Sequence, residues 1–299
     1  MTNTPNPVLK KLGLADDDRV AILHTDDIGM CQASVEAFAD LNEVDIISSG
    51  AVMVPCPWFL GAAAYARQHP QADLGVHLTL TSEWKTYRWG PISTRDPACG
   101  MIDEAGYFYH RSEAVQQNGN PTAVGIELDA QVERAIQAGI APTHVDTHMG
   151  AVAHPKFMGL YVQLAMKYQL PAMIPRLDEA GWRARGLDAD AASMAVTVIQ
   201  QLEANGLPLL DTYESIPLDS TEDRLEHTRQ ALSDLKPGIA HFIIHPSKDT
   251  PELRAITPDW RCRVGDYQVF MDEELRKHIK KIGLHVIGYR TLASLMPKV

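Results

Sequence analysis

The alternation of short apolar runs with longer amphipathic stretches constrains the fold of this chain more than any other feature of its sequence. The runs are Val20–Leu23, Ile46–Val54, Leu74–Leu80, Thr143–Asp146, Ala172–Ile174, Leu209–Asp211, Ile239–Ile244 and Leu284–Ile287. Each is too short for a helix, and most are rich in Val, Ile or Leu, as strands buried on both faces are. Between them lie helical patterns at Cys31–Leu41, Trp58–Arg67, Thr122–Ala138, Phe157–Tyr168, Ala191–Ala204, Thr221–Leu235 and Asp272–Ile282. The third of these carries Val124, Leu128, Val132, Ala135 and Ile136 on one side and stops at Gly139, a helix-stop signal.

Strand–helix alternation of this kind predicts a parallel α/β architecture. About eight repeats favour a single (β/α) barrel, complete or distorted, over an open doubly wound sheet. No GxGxxG or GxxxxGK[ST] follows the first strand, so neither nucleotide fingerprint is present. At 299 residues the whole chain, 1–299, is expected to form one barrel domain. One stretch breaks the rhythm: 82–120, after the third strand, bears Trp84, Tyr87, Trp89, Tyr107, Phe108 and Tyr109. A long insertion after a barrel strand lies on the catalytic face, where it builds a lid or substrate wall or folds on itself as a surface loop.

Composition narrows the partners. The net charge is −11, from 38 acidic and 27 basic residues, and no Lys/Arg-rich run occurs, so no nucleic acid is expected. The N-terminus lacks an apolar signal core, and no apolar stretch approaches the roughly 20 residues of a membrane span. Cys31, Cys56, Cys99 and Cys262 form no CxxC pair, which suits packed, reduced thiols. A cytoplasmic location is the expectation. Oligomeric state is unreadable from the sequence, with a homodimer the default among oligomers.

Reactive side chains in α/β barrels gather at the C-terminal ends of strands. Four runs deliver candidates there. RVAILHTDDIGM ends in Asp26 and Asp27; the pair is either a solvated turn stopped by Gly29 or, if both carboxylates are buried, a site that requires a cation or a shared proton. DLGVHLTLT places His77 inside a strand, where an imidazole is either a packed core group or a ligand. PTHVDTHMG offers His144, Asp146 and His148 on one face of an extended segment. Four residues of strand span roughly 13 Å whereas ligands sit about 2 Å from an ion, so His144 and His148 cannot share one ion unless the chain turns. His148, at the C-terminal end, is the expected ligand, with Asp146 supporting or structural. HFIIHPS closes a strand with His245, which could be a proton donor, a further ligand or a strand-end cap; His241 is expected to pack. An Asp of the first run, His77 and His148 together make the mixed N/O set of a catalytic site for one divalent ion, with positions left open.

These blocks resemble the YdjC-type carbohydrate deacetylases, a family related to diacetylchitobiose deacetylase and more distantly to polysaccharide deacetylases. The similarity rests on HTDDIGM, DLGVHLTLT, APTHVDTH, FIIHPS and GLHVIGYRTL, running from about residue 20 to 293. The resemblance implies Asp27, His77 and His148 as metal ligands, Asp26 as general base and His245 as the histidine beside the site. Two positions depart from the family pattern. His24-Thr25 stands where Asn or a small residue usually precedes the Asp pair, and Met149-Gly150-Ala151-Val152-Ala153-His154 replaces a His-Val-His continuation.

The expected activity is metal-dependent removal of an acetyl group from a small N-acetylated sugar or oligosaccharide. The alternatives are an amidohydrolase on a non-sugar amide and a non-catalytic sugar-binding barrel. Trp84 and Tyr87 are the candidates to stack on sugar rings. Arg176 could contact a polar or anionic substituent or form a surface salt bridge. The metal lies between Mg²⁺, which prefers oxygen donors, and Zn²⁺, which two imidazoles favour.

Overall fold

Parallel pairing around one long strand organises the chain, which is described for residues 4–297 by a computed structural model. The strands are β1 (Arg19–Ile28), β2 (Ser49–Val52), β3 (Leu74–Leu78), β4 (Val145–Thr147), β5 (Thr212–Ser215), β6 (Gly238–Ile244) and β7 (His285–Val286). Their order is β4-β3-β2-β1-β6-β5, and β7 pairs with β1. Every ladder is parallel, as strands that alternate with helices must be. β1 is buried along its length except for the half-buried Arg19, which accounts for its continuous apolar run.

The sheet curls into a distorted, incompletely laddered barrel. The expected strand at Ala172–Ile174 survives only as single bridges, Val145 to Ala172 and Pro175 to Leu210, so the ring between β4 and β5 is joined by isolated hydrogen bonds. The strand expected at Leu209–Asp211 begins later, at Thr212. Both shifts have one cause: apolar content marks what is buried, and here the buried segments do not hold ladder geometry.

The helices cover the outer face. Helix Gln32–Glu43 buries Ala33, Val35, Ala37, Phe38 and Leu41. Helix Pro121–Gln137 buries Val124, Leu128, Val132 and Ala135. Asn120 caps its start by accepting from the Thr122 and Ala123 amides, a contact worth about 1 kcal/mol. Helices Pro251–Ile256 and Trp260–Met271, absent from the sequence reading, fill the long link between β6 and β7. All four cysteines are free and buried. Among the described residues no helix is long and apolar enough to cross a membrane.

Candidate metal centre

A bulge at the end of β1 builds the first part of the site. His24 and Thr25 lie opposite Ser49 and Gly50, but Ile28 lies opposite Val52, so the ladder slips between Thr25 and Ile28. Neighbouring residues of a regular strand face opposite ways. The bulge, with Asp27 at φ 61°, cancels that alternation, as an extra residue in one strand does. Asp tolerates this left-handed conformation better than a branched residue would. Asp26 and Asp27 are thereby both buried and both turned toward His77.

His77 comes from β3, and His148 follows β4 where the chain leaves the strand in a turn with Met149 at φ 51° and Gly150 at φ 65°. Three donor atoms meet. Asp27 Oδ1 is 3.1 Å from His148 Nδ1 and 3.6 Å from His77 Nε2. The two imidazole nitrogens are 3.3 Å apart. Donors that share a cation at about 2.1 Å stand roughly 3.0–3.4 Å from one another in octahedral or tetrahedral arrangements. Asp27 Oδ1 is buried and accepts no hydrogen bond. The donor set and its spacing therefore fit a divalent ion.

The outer nitrogens explain why the inner ones are lone pairs. His77 Nδ1 lies 2.8 Å from Asp146 Oδ1, and His148 Nε2 lies 3.2 Å from Glu83 Oε2. Each carboxylate takes the outer N–H and leaves the inner nitrogen unprotonated, the arrangement that fixes metal-ligating histidines. Burial alone would lower both imidazoles, but Asp146 and Asp26 carry His77 up to about 9, and Glu83 and Asp27 carry His148 up to about 10. The pocket thus demands positive charge. Two protons cannot both occupy the 3.3 Å gap between facing nitrogens, whereas one cation can.

Asp27 has a second partner. Arg263 donates to its Oδ2 at 2.7 Å and also binds Asp259 at 2.9 Å. Burial opposes ionisation of Asp27, yet Arg263 and His148 hold its carboxyl well below the usual range.

Asp26 and His245 stand beside the cluster. Asp26 Oδ2 is 3.6 Å from His77 Nε2 and 3.8 Å from His245 Nε2. Burial pushes Asp26 up to about 8, against the pull of His77. Burial also holds His245 down at about 4, and its backbone N–H donates to Asp266 at 2.9 Å.

The segment 82–120 reaches this region. Besides Glu83, Trp84 lies with its ring 5.6 Å from the Arg263 guanidinium. Tyr87 donates its hydroxyl to the Met30 carbonyl at 2.7 Å, which leaves only its ring for other contacts. Arg176 does not join the cluster, which corrects its expected contact with substrate. Its side chain is buried, bound to Asp211 at 3.0 Å and Glu203 at 2.5 Å. Asp211 also accepts from the Ile239 amide at the start of β6, so Arg176 sits toward the opposite end of the sheet from His245.

His144 stacks on Tyr289 with ring centroids 3.8 Å apart, in space left by Gly75, where a Cβ would lie 2.4 Å from the imidazole. His154 caps helix Pro155–Tyr168 by accepting from the Lys156 amide. Glu83 and Arg263 escaped the sequence reading. Neither ends a strand, and only the fold brings them to their partners. Glu83→Gln keeps the shape but removes the charge on His148. Metal affinity is expected to fall about 10–100-fold, read by competition with a chromogenic chelator; unchanged affinity would remove Glu83 from the site.

Comparison with known proteins adds a family. Residues 20–281 match the family model described as YdjC-like protein. A carbohydrate deacetylase of Thermus thermophilus is 34% identical over 289 residues, 97% of this chain and 99% of that protein. A carbohydrate deacetylase of Geobacillus stearothermophilus is 30% identical over 281 residues, 93% of this chain and 99% of the relative. A solved structure from Enterococcus faecalis, described in terms of cellobiose-phosphate cleavage, superposes with a TM-score of 0.72 at 24% identity, covering 92% of this chain and 99% of the other.

Proposed function

The chain belongs to the YdjC-like protein family, and on that premise we propose that it is a carbohydrate deacetylase that uses one divalent ion held by Asp27, His77 and His148. The observation that carries this reading is the meeting of three donor atoms 3.1–3.6 Å apart, each backed by a charged partner on its far side. The names of the two relatives supply the substrate class, an acetylated sugar. In this reading the whole chain forms one catalytic domain, with 82–120 as the wall of the mouth.

A divalent ion supplies Lewis acidity toward a carbonyl oxygen and toward water. The protein does the rest. Asp27, His77 and His148 fix the position of the charge, and Glu83, Asp146 and Arg263 fix those three. Asp26 Oδ2 faces the mouth and takes the proton of the attacking water. As the amide C–N bond breaks, the leaving amine needs a proton. Asp26, whose hold on the proton burial strengthens, delivers it to the amine, and His245, kept neutral by burial and 3.8 Å from Asp26, orients that carboxyl. The products are acetate and a free amino sugar. The half-buried Tyr87 offers a ring face to the sugar, the apolar side of a pyranose being a natural partner for an aromatic plane. Trp84 is buried against Tyr87 and the Arg263 guanidinium and supports that ring rather than stacking on the sugar itself.

The test is an acetate-release screen over N-acetylated mono- and oligosaccharides beside non-sugar N-acetyl amides such as acetyl-lysine peptides. Release from a sugar is expected. Hydrolysis confined to non-sugar amides, or none in the metal-loaded protein, would overturn the substrate class.

A further inference from the structure

On the far side of His77 from the mouth, a second group of buried side chains converges: His24 and Asp26 of β1, Asp146 of β4 and His241 of β6. Each presents one buried atom that makes no hydrogen bond, namely His24 Nδ1, Asp26 Oδ1, Asp146 Oδ2 and His241 Nε2, with Asp146 Oδ2 3.2 Å from His24 Nε2 as its nearest polar contact. Such atoms are rare in folded proteins. Four on facing residues of three strands outline a place for a common partner.

The opposite atom of each residue is engaged or faces elsewhere. His24 Nε2 meets His144 Nε2 at 3.0 Å, and His144 Nδ1 lies 3.1 Å from the Thr143 hydroxyl. That chain runs His24 N–H to His144 and His144 N–H to Thr143, whose hydroxyl donates onward to Asp73. It leaves His24 Nδ1 as a lone pair. His241 Nδ1 lies 2.9 Å from the Tyr289 hydroxyl; the tautomer in which the ring donates this bond leaves Nε2 as a lone pair, and it is the one an ion would select. Asp146 gives Oδ1 to His77, and Asp26 turns Oδ2 toward His77 and His245. Burial keeps both imidazoles unprotonated, His241 down to about 3 and His24 well below its ordinary range. Two neutral imidazoles and two carboxylate oxygens anchored from behind are the makings of a metal site.

We propose that this chain holds a second divalent transition-metal ion, buried between His24, Asp26, Asp146 and His241. Donor atoms of the four residues lie within 4.8 Å of one another, and His24 Nδ1 is 3.5 Å from Asp26 Oδ1. Donors at about 2.1 Å from a tetrahedral ion stand roughly 3.4 Å apart, so binding draws the wider pairs inward. An N₂O₂ set in a fully enclosed pocket suits Zn²⁺ or Co²⁺ and disfavours Mg²⁺, which keeps several waters. Asp26 is the hinge between the two centres, Oδ1 toward the inner ion and Oδ2 toward the mouth. The inner ion would thereby fix the carboxylate that faces the substrate.

The two ligand sets share no residue, so counting ions separates them. Full-length protein stripped with a chelator is titrated with Co²⁺, following visible absorption and bound cobalt by elemental analysis. The wild type is expected to bind two Co²⁺ per chain; His241→Asn and His24→Asn are each expected to bind one and His148→Ala the other, with different spectra. Saturation of the wild type at one Co²⁺ that is lost in His148→Ala and kept in His241→Asn would overturn the inner site alone. A single ion lost in His241→Asn and kept in His148→Ala would support the inner site and overturn the outer one. The wild-type count needs no variant to fold, so a poorly folding variant leaves the inference exposed to refutation.

Discussion

Asp26→Asn is expected to lose acetate release by about 10²–10⁴-fold in kcat, the usual worth of a positioned base, while the ion between Asp27, His77 and His148 stays bound. Asn preserves the shape of the side chain but cannot accept the proton of water. Substrate contacts are untouched, so KM should move little, the signature of an interaction used only in the transition state. Asp26 suits the role because its Oδ2 stands 3.6–3.8 Å from His77 and His245 without being tied to either. Asp27, by contrast, is bound by Arg263 at 2.7 Å and cannot serve as a base. Elemental analysis and acetate kinetics on one preparation check the split; near-normal turnover would move the base elsewhere.

Arg263→Met is expected to destabilise the metal-free protein by about 3–5 kcal/mol, the cost of leaving a buried ion pair half broken. Asp27 and Arg263 are both almost fully buried, so no solvent screens the loss. For a chain of this size that is on the order of 10 °C in Tm. Metal loading should restore part of the difference, because the ion supplies Asp27 with a second counter-charge. Arg263→Lys should rescue incompletely, since a point charge cannot bridge Asp27 and Asp259 as a planar guanidinium does. Thermal melts with and without divalent ion measure all three effects. Equal melting of wild type and Arg263→Met in the metal-free state would contradict the ion-pair account.

Legibility followed the range of each signal. Asp26, Asp27, His77, His148 and His245 stand at or near the ends of apolar strands, and strand ends are local patterns that one sequence displays. The choice of His148 over His144 also came from strand geometry, and the structure places His148 beside Asp27 and His77 while His144 packs beneath Gly75. Arg263 and Glu83 had no such marker. Arg263 lies on helix Trp260–Met271, whose buried set mixes Cys262, Val264, Val269 and Phe270 with Arg263 and Asp266, so no clean apolar stripe announces the helix. Arg176 illustrates the converse: an arginine just past a strand-like run looked reachable from the mouth, but its partners Asp211 and Glu203 draw it inward. The barrel was readable from alternation, whereas the weak closure at 172–175 depends on hydrogen-bond register, which composition does not encode.

The most direct measurement is the divalent-metal content and acetate release of wild type and His148→Ala, taken from the same chelator-treated and reloaded preparations. Wild type should regain ion and activity together. His148→Ala should show neither the ion between Asp27 and His77 nor turnover, the rate falling by about three orders of magnitude when several kcal/mol of Lewis-acid stabilisation is withdrawn. Full acetate release from protein stripped of metal would contradict it.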